Sequence, residues 1–118
     1  MVKAVCAEFL KMLQLIDITT IDSIVATLHS RVALNRVILF GSYADGTATP
    51  ESDLDLVVVV DSKLSPKKRY LAVCRALSDF VLPLDLIVKS REEYEFEKDC
   101  FNHIVYFAAR DGHVIYAT

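Results

Sequence analysis

An excess of basic charge is missing from this chain. Thirteen Lys and Arg stand against 16 Asp and Glu, for a formal net charge of -3. A large nucleic-acid footprint normally needs a basic face, so no direct nucleic-acid binding is expected. Cysteine is also scarce. Cys6, Cys74 and Cys100 are widely spaced and odd in number, which resembles neither a disulfide framework nor a zinc pair. They read as reduced cysteines of an intracellular protein, mostly buried as small hydrophobes. No apolar run approaches the ~20 residues of a membrane span. Glu8, Lys11 and Asp17 interrupt the N-terminal apolar stretch, so it does not read as a signal peptide. A cytoplasmic protein without membrane contact is the expectation. Repeats, low-complexity tracts and linkers are absent, and 118 residues fit a single domain, 1–118.

What is abundant is hydrophobic residue, at 53% of the chain. Part of that surplus is expected on a surface meant for another protein. Helical spacing of Val5, Phe9, Met12, Leu13 and Ile16 predicts a short amphipathic helix over residues 3 to 15. Thr19 or Thr20 is positioned to cap a second helix with Ile21, Ile24, Val25 and Leu28 toward the core. A break is expected at Leu34-Asn35, then a strand from Arg36 to Phe40. Leu54 to Val60 is a stronger strand, and its lack of alternation predicts that both faces are covered. Ser65-Pro66 should open a helix running to about Phe80. Leu84 to Val88 reads as a third strand, and Ser90 as the cap of one last helix. Phe96, Phe101, Ile104, Val105, Phe107 and Ala108 would form its apolar, core-facing side. Asp111-Gly112 is expected as a turn before a short strand over Val114 to Tyr116. The sum is an α/β (α+β) domain, a small mixed sheet of three or four strands with helices packed on it.

Chemistry concentrates between the first two strands. Gly41-Ser42 ends the first, and ten residues later comes Asp53-Leu54-Asp55 at the mouth of the second. The intervening segment holds Gly46 and Pro50 and reads as a turn with one short helical turn. Glycine lets a phosphate approach the backbone, and the serine hydroxyl and nearby N–H groups can donate to it. In an extended segment Asp53 and Asp55 point to the same side, roughly 6.6 Å apart along the chain. Two carboxylates so close want a divalent cation between them, because like charges otherwise repel and one protonates. Asp85 is the candidate third carboxylate. It is a lone charge in Leu84-Asp85-Leu86-Ile87-Val88, where an acid should be paired or on a metal, or else exposed beside Pro83.

Gly-Ser, ten residues, Asp-x-Asp and a later strand aspartate together closely resemble the minimal nucleotidyltransferase family of the DNA polymerase beta superfamily. The resemblance covers residues from about 20 onward and rests on Gly41, Ser42, Asp53, Asp55 and Asp85. It implies a polymerase-beta-like fold and transfer of a nucleoside monophosphate from a triphosphate, ATP by family habit, to a hydroxyl, with release of pyrophosphate. By the same resemblance Asp53 and Asp55 hold two Mg2+ ions, and Asp85 holds the one that activates the acceptor. Gly41 and Ser42 grip the β- and γ-phosphates. His29, His103 and His113 are scattered and are expected in structural roles. One departure stands out. The family often carries arginine in its Gly-Ser-x-x-Arg-Gly pattern, where this chain has Asp45, an acid near the triphosphate. Arg36, Lys63 and Lys89 are candidates to compensate it.

Family members of this length are commonly encoded beside a small all-helical partner that resembles an RNA-cleaving toxin. The resemblance therefore implies an antitoxin that attaches AMP to a tyrosine of that partner. Two other readings stay open: a transferase for an antibiotic-like small molecule, and a catalytically weak nucleotide-binding antitoxin that acts by complex formation. Self-association is also open. The aromatic run Phe96 to Phe107 is expected in the core rather than at an interface, and Tyr43 to pack rather than to stack on a nucleotide.

Overall fold

The structure, a computed structural model, describes residues 15–118. The helix expected over residues 3 to 15 therefore lies outside the described residues, save for Leu15. Helix α1 spans Ile18–Arg31. Its cap is Asp17, two residues before the expected threonines. The Asp17 carboxylate accepts from the Thr20 N–H at 2.9 Å and from the Thr19 hydroxyl at 2.8 Å.

Strand β1, Leu34–Phe40, begins two residues earlier than expected. A register shift between Leu34 and Arg36 absorbs Asn35, which turns the apparent break into an irregular strand start. A single helical turn, α2 (Ser42–Asp45), follows, and then β2 (Leu54–Val60). Ser65 caps α3 (Pro66–Ala76) as its sequence requires. That helix stops short of Phe80 because buried Leu77 leaves helical geometry, its N–H bonding back to Val73 and Arg75 carbonyls. Strand β3 covers Leu84–Ser90.

The expected last helix is two. Ser90 and Glu93 form a capping box that opens α4 (Arg91–Glu97). The chain then breaks, with Asn102 at φ 73, and restarts as α5 (Ile104–Asp111) under a His103 cap. Asp111 is thus the end of a helix rather than a turn residue, and Gly112 is its extended cap. Strand β4, His113–Ala117, completes the sheet.

The strand order is β3-β2-β1-β4. β1 runs antiparallel to both β2 and β4, while β2 and β3 are parallel. Leu54, Leu56, Val58 and Val60 of β2 join Ile24 and Leu28 of α1 and Val73 of α3 in one core layer. Val57 and Val59 face the other way, against Tyr94 of α4 and Val105 and Ala108 of α5. Both faces of β2 are therefore covered, as its unbroken apolar run demands. Buried Arg69 of α3 ties the two layers together through its ion pair with Glu93 of α4, at 2.5 Å.

The expected core side of the last helix is only partly correct. Val105 and Ala108 are buried, but Phe96, Phe101, Ile104 and Phe107 are exposed. A short helix over a sheet buries one stripe, and the break at residues 98–103 turns the remaining aromatics away from it.

Candidate active site

One edge of the sheet collects the predicted residues. In the ladder Phe40 pairs with Asp55, and Asp55 with Asp85. Because paired register positions share a face, the carboxylates of Asp55 and Asp85 stand side by side at the mouths of β2 and β3. They lie on the same face as Val57 and Ile87, under α4 and α5.

Gly41 completes this edge. Its φ of 75° and ψ of -155° fall in a region that side chains other than glycine's strongly disfavour. Space is the second reason for glycine. A Cβ there would come within 2.1 Å of Asp55 Oδ2. The carboxylate thus sits where a side chain at 41 would be. The Gly41 carbonyl accepts the N–H groups of Ala44 and Asp45 at 3.0 and 3.1 Å, which folds α2 back over the strand end. The first N–H groups of such a turn, those of Ser42 and Tyr43, have no partner within it. Beside the Ser42 hydroxyl they form a small donor set suited to an anion.

Burial first, then the hydrogen bond with Asp85 and its charge, then the charge of Asp53, push the Asp55 carboxyl up to about 6. A cation held between these carboxylates would relieve that crowding. Hard oxygen donors at this spacing fit magnesium in character. Asp53 is exposed and felt by Asp55 only through its charge. Among the described residues no three His, Cys, Asp or Glu side chains converge as a metal cluster. The structure brings Asp55 and Asp85 together and leaves Asp53 beside the pair.

Asp45 is engaged by its neighbour Thr47. Its Oδ1 accepts from the Thr47 N–H at 3.1 Å and from the Thr47 hydroxyl at 2.5 Å. Of the candidate compensating cations Arg36, Lys63 and Lys89, the first and last are engaged elsewhere, and Lys63 is exposed with no ion pair among the described residues. Arg36 lies over the Tyr94 ring and Lys89 pairs with Glu97 at 3.0 Å. Both belong to the Val59 level of the ladder, away from the Asp55 edge. A cavity of about 190 Å3 adjoins the turn, lined by Gly41, Ala44, Asp45, Phe107 and Asp111 among others.

Two supports were not read from sequence. His113 Nε2 meets the Ala44 carbonyl at 2.9 Å and ties β4 to α2. Gly112 lets α5 cross β1 closely, since a Cβ there would lie 2.5 Å from the Ala108 carbonyl oxygen and 2.7 Å from that of Leu39. A glycine wedged between a helical pattern and a strand was the available signal. Tyr43 packs against the α1 layer and its hydroxyl accepts the Ile16 N–H at 3.1 Å. His103 caps α5 and His29 packs edge-on against Tyr116.

A mixed four-stranded sheet with a Gly-Ser turn and strand-mouth aspartates at one edge defines a polymerase-beta-like nucleotidyltransferase fold. The nucleotidyltransferase domain family matches residues 18–110, and the chain belongs to that family. Among solved structures, a chain of a toxin-antitoxin complex with AMP-PNP aligns at 21% identity and TM-score 0.58, covering 82% of this chain and 73% of that one. A proposed nucleotidyltransferase of Sulfolobus solfataricus aligns at 23% identity and TM-score 0.58, covering 80% and 75%. A chain of the Shewanella oneidensis complex of MNT antitoxin with tri-AMPylated HEPN toxin aligns at 19% identity and TM-score 0.50, covering 82% and 69%. These likenesses concern the fold. No curated protein matches significantly.

Among the described residues no helix is long and apolar enough to cross a membrane.

Proposed function

We propose that this chain transfers AMP from ATP to a tyrosine hydroxyl of a small helical toxin protein and so acts as its antitoxin. The observation that carries the reading is the register of Asp55 against Asp85, with Gly41 leaving room for the Asp55 carboxylate. Family membership supports the reaction class. Relatives of the same fold that hold AMP-PNP, or stand beside an AMPylated toxin, support the nucleotide and the acceptor.

In the reaction a bond forms from the acceptor oxygen to the α-phosphorus of ATP. The bond to pyrophosphate breaks and the hydroxyl proton is lost. The Ser42 hydroxyl and the N–H groups of the α2 turn bind the β- and γ-phosphates. Gly41 keeps side-chain atoms out of their path. Asp53, Asp55 and Asp85 are the residues that would hold two magnesium ions, which when bound offset charge on the transferring phosphoryl group and polarise the hydroxyl. Asp85, on the edge strand, is the group to which this reading assigns the hydroxyl proton. Asp45 lines the cavity beside Gly41 with its Oδ1 occupied by the Thr47 N–H and hydroxyl. Positioning and charge account for most of such a transfer, so no histidine base is required.

A second reading is antitoxin action by complex formation alone. It is favoured by Asp45, an acid that lines the cavity beside Gly41. Incubation with α-labelled ATP, magnesium and the protein encoded alongside separates the two. Label on that protein, lost in Asp55→Asn, supports transfer. A tight complex without label supports occlusion.

A further inference from the structure

The segment α4–α5 leaves an aromatic surface open. Phe96 is 73% exposed and Phe101 70% exposed, with Ile104 and Phe107 also outside the core. Phe101, Tyr106 and Phe107 pack on one another, their ring centroids 5.3 to 6.4 Å apart. The rings are thus mutually ordered on the outside of the fold. Large aromatics in such a cluster mark an interaction surface far more often than isolated exposed apolar residues do.

Two further observations choose the occupant. Phe107 also lines the cavity that reaches Gly41, so the surface runs continuously to the phosphate turn. Residues 91–111 also carry six acids and three bases, against ten and ten in the rest of the chain, so the whole net charge of -3 falls on this segment. Within it Lys98 pairs with Glu95 at 3.0 Å and Arg110 with Asp111 at 3.1 Å, while Glu93 and Glu97 are met by Arg69 and Lys89 from outside the segment. That leaves Glu92 and Asp99, both exposed on the same segment and in no ion pair among the described residues.

We infer that the Phe101–Phe107 surface docks an apolar helix with basic flanks belonging to the acceptor protein, and so delivers its hydroxyl to the Asp55–Asp85 edge. An amphipathic helix laid on an aromatic surface is a common recognition mode. The exposed Glu92 and Asp99 attract and orient the basic flanks. This inference rests on the transfer reading for its acceptor, and it names the surface that reading leaves unassigned.

The test uses the full chain and the protein encoded alongside it. Binding is measured by calorimetry without ATP, and AMP transfer separately. Phe101→Ser with Ile104→Ser removes two exposed anchors, and Val81→Ser, at a 97% exposed site between α3 and β3, is the control. The double variant should weaken binding at least about 30-fold, as loss of interface anchors does. ATP binding and melting temperature should be unchanged, and Val81→Ser should bind within about twofold of the native chain. Glu92→Lys with Asp99→Lys, which spares the rings, should slow association and flatten its salt dependence.

Native-like binding by the double variant overturns the inference while leaving transfer standing. Loss of a self-dimer with partner binding intact also overturns it, and assigns the surface to a second copy. No complex between the native chain and that protein overturns it as well. Loss of binding in the double variant, with no label transferred even by the native chain, supports the surface and refutes the transfer.

Discussion

Replacing Gly41 with alanine tests the site geometry most sharply. The backbone at φ 75° and ψ -155° costs a non-glycine residue about 1 to 3 kcal/mol. The new Cβ would also stand 2.1 Å from Asp55 Oδ2, so the Asp55 carboxylate must leave its place beside Asp85. Gly46 supplies an internal control. It too has positive φ, 84°, but nothing lies within 4 Å of a Cβ there. Gly46→Ala should cost only the backbone term, about 1 to 2 kcal/mol. Gly41→Ala should exceed it by about 1 kcal/mol or more and, unlike Gly46→Ala, should abolish nucleotide transfer. Urea midpoints at a common slope give the stabilities, and labelled-ATP transfer gives the activity. Equal losses in the two variants, with transfer intact in Gly41→Ala, would refute the close approach of Gly41 and Asp55.

Further outcomes follow from the core and its ion pairs. Leu56→Ala, fully buried in β2, should lose about 2 to 5 kcal/mol by urea denaturation. Asp55→Asn relieves the crowding with Asp85 and Asp53. It should raise metal-free stability by about 1 kcal/mol, the shift toward 6 being discounted for solvent screening, while transfer is lost. Glu93→Gln would strand the buried Arg69 guanidinium and should cost about 2 to 3 kcal/mol, allowing for the partial exposure of Glu93. Burial works to raise the Glu93 carboxyl, but the Ser90 N–H, Arg69 and Lys89 outweigh it and hold it low. A depressed folded value means stability is present above the ordinary glutamate range near 4.5 and is lost as pH falls through the folded value. Acid titration of the melting temperature should therefore steepen below about pH 4.5 in the native chain, and less so in Glu93→Gln.

The strands, and the approach of Gly41 to Asp55, were legible because their signals are local. Val57, Val58 and Val59 can only form a strand covered on both sides, and Asp-x-Asp at its mouth fixes two side chains on one face. The meeting of Asp85 with Asp55 was readable as a possibility, but it is settled by parallel pairing of β2 with β3, which no local pattern encodes. The helix ends were less legible. Asp17 outcompeted Thr19 and Thr20 as a cap through its own extended backbone. Leu77 ended α3 early because the core claimed its side chain. The break before His103 was hidden because Phe101, between Phe96 and Ile104, carries the apolar pattern across otherwise polar residues. That break also explains the misplaced aromatics: periodicity across one continuous helix put Phe101 and Phe107 inward, and two short helices present them outward. Asp45 stays beside the phosphate turn, its Oδ1 accepting from Thr47, a contact between neighbours that the order of residues permits but does not require.

The central claim is that the Asp55–Asp85 edge transfers a nucleotide to a protein hydroxyl. Its most direct test is mass spectrometry of the protein encoded alongside after incubation with this chain, ATP and magnesium. The account predicts an added AMP on a tyrosine with the native chain and none with Asp55→Asn or without magnesium. An unmodified partner in a stable complex, or equal modification by Asp55→Asn, would contradict it.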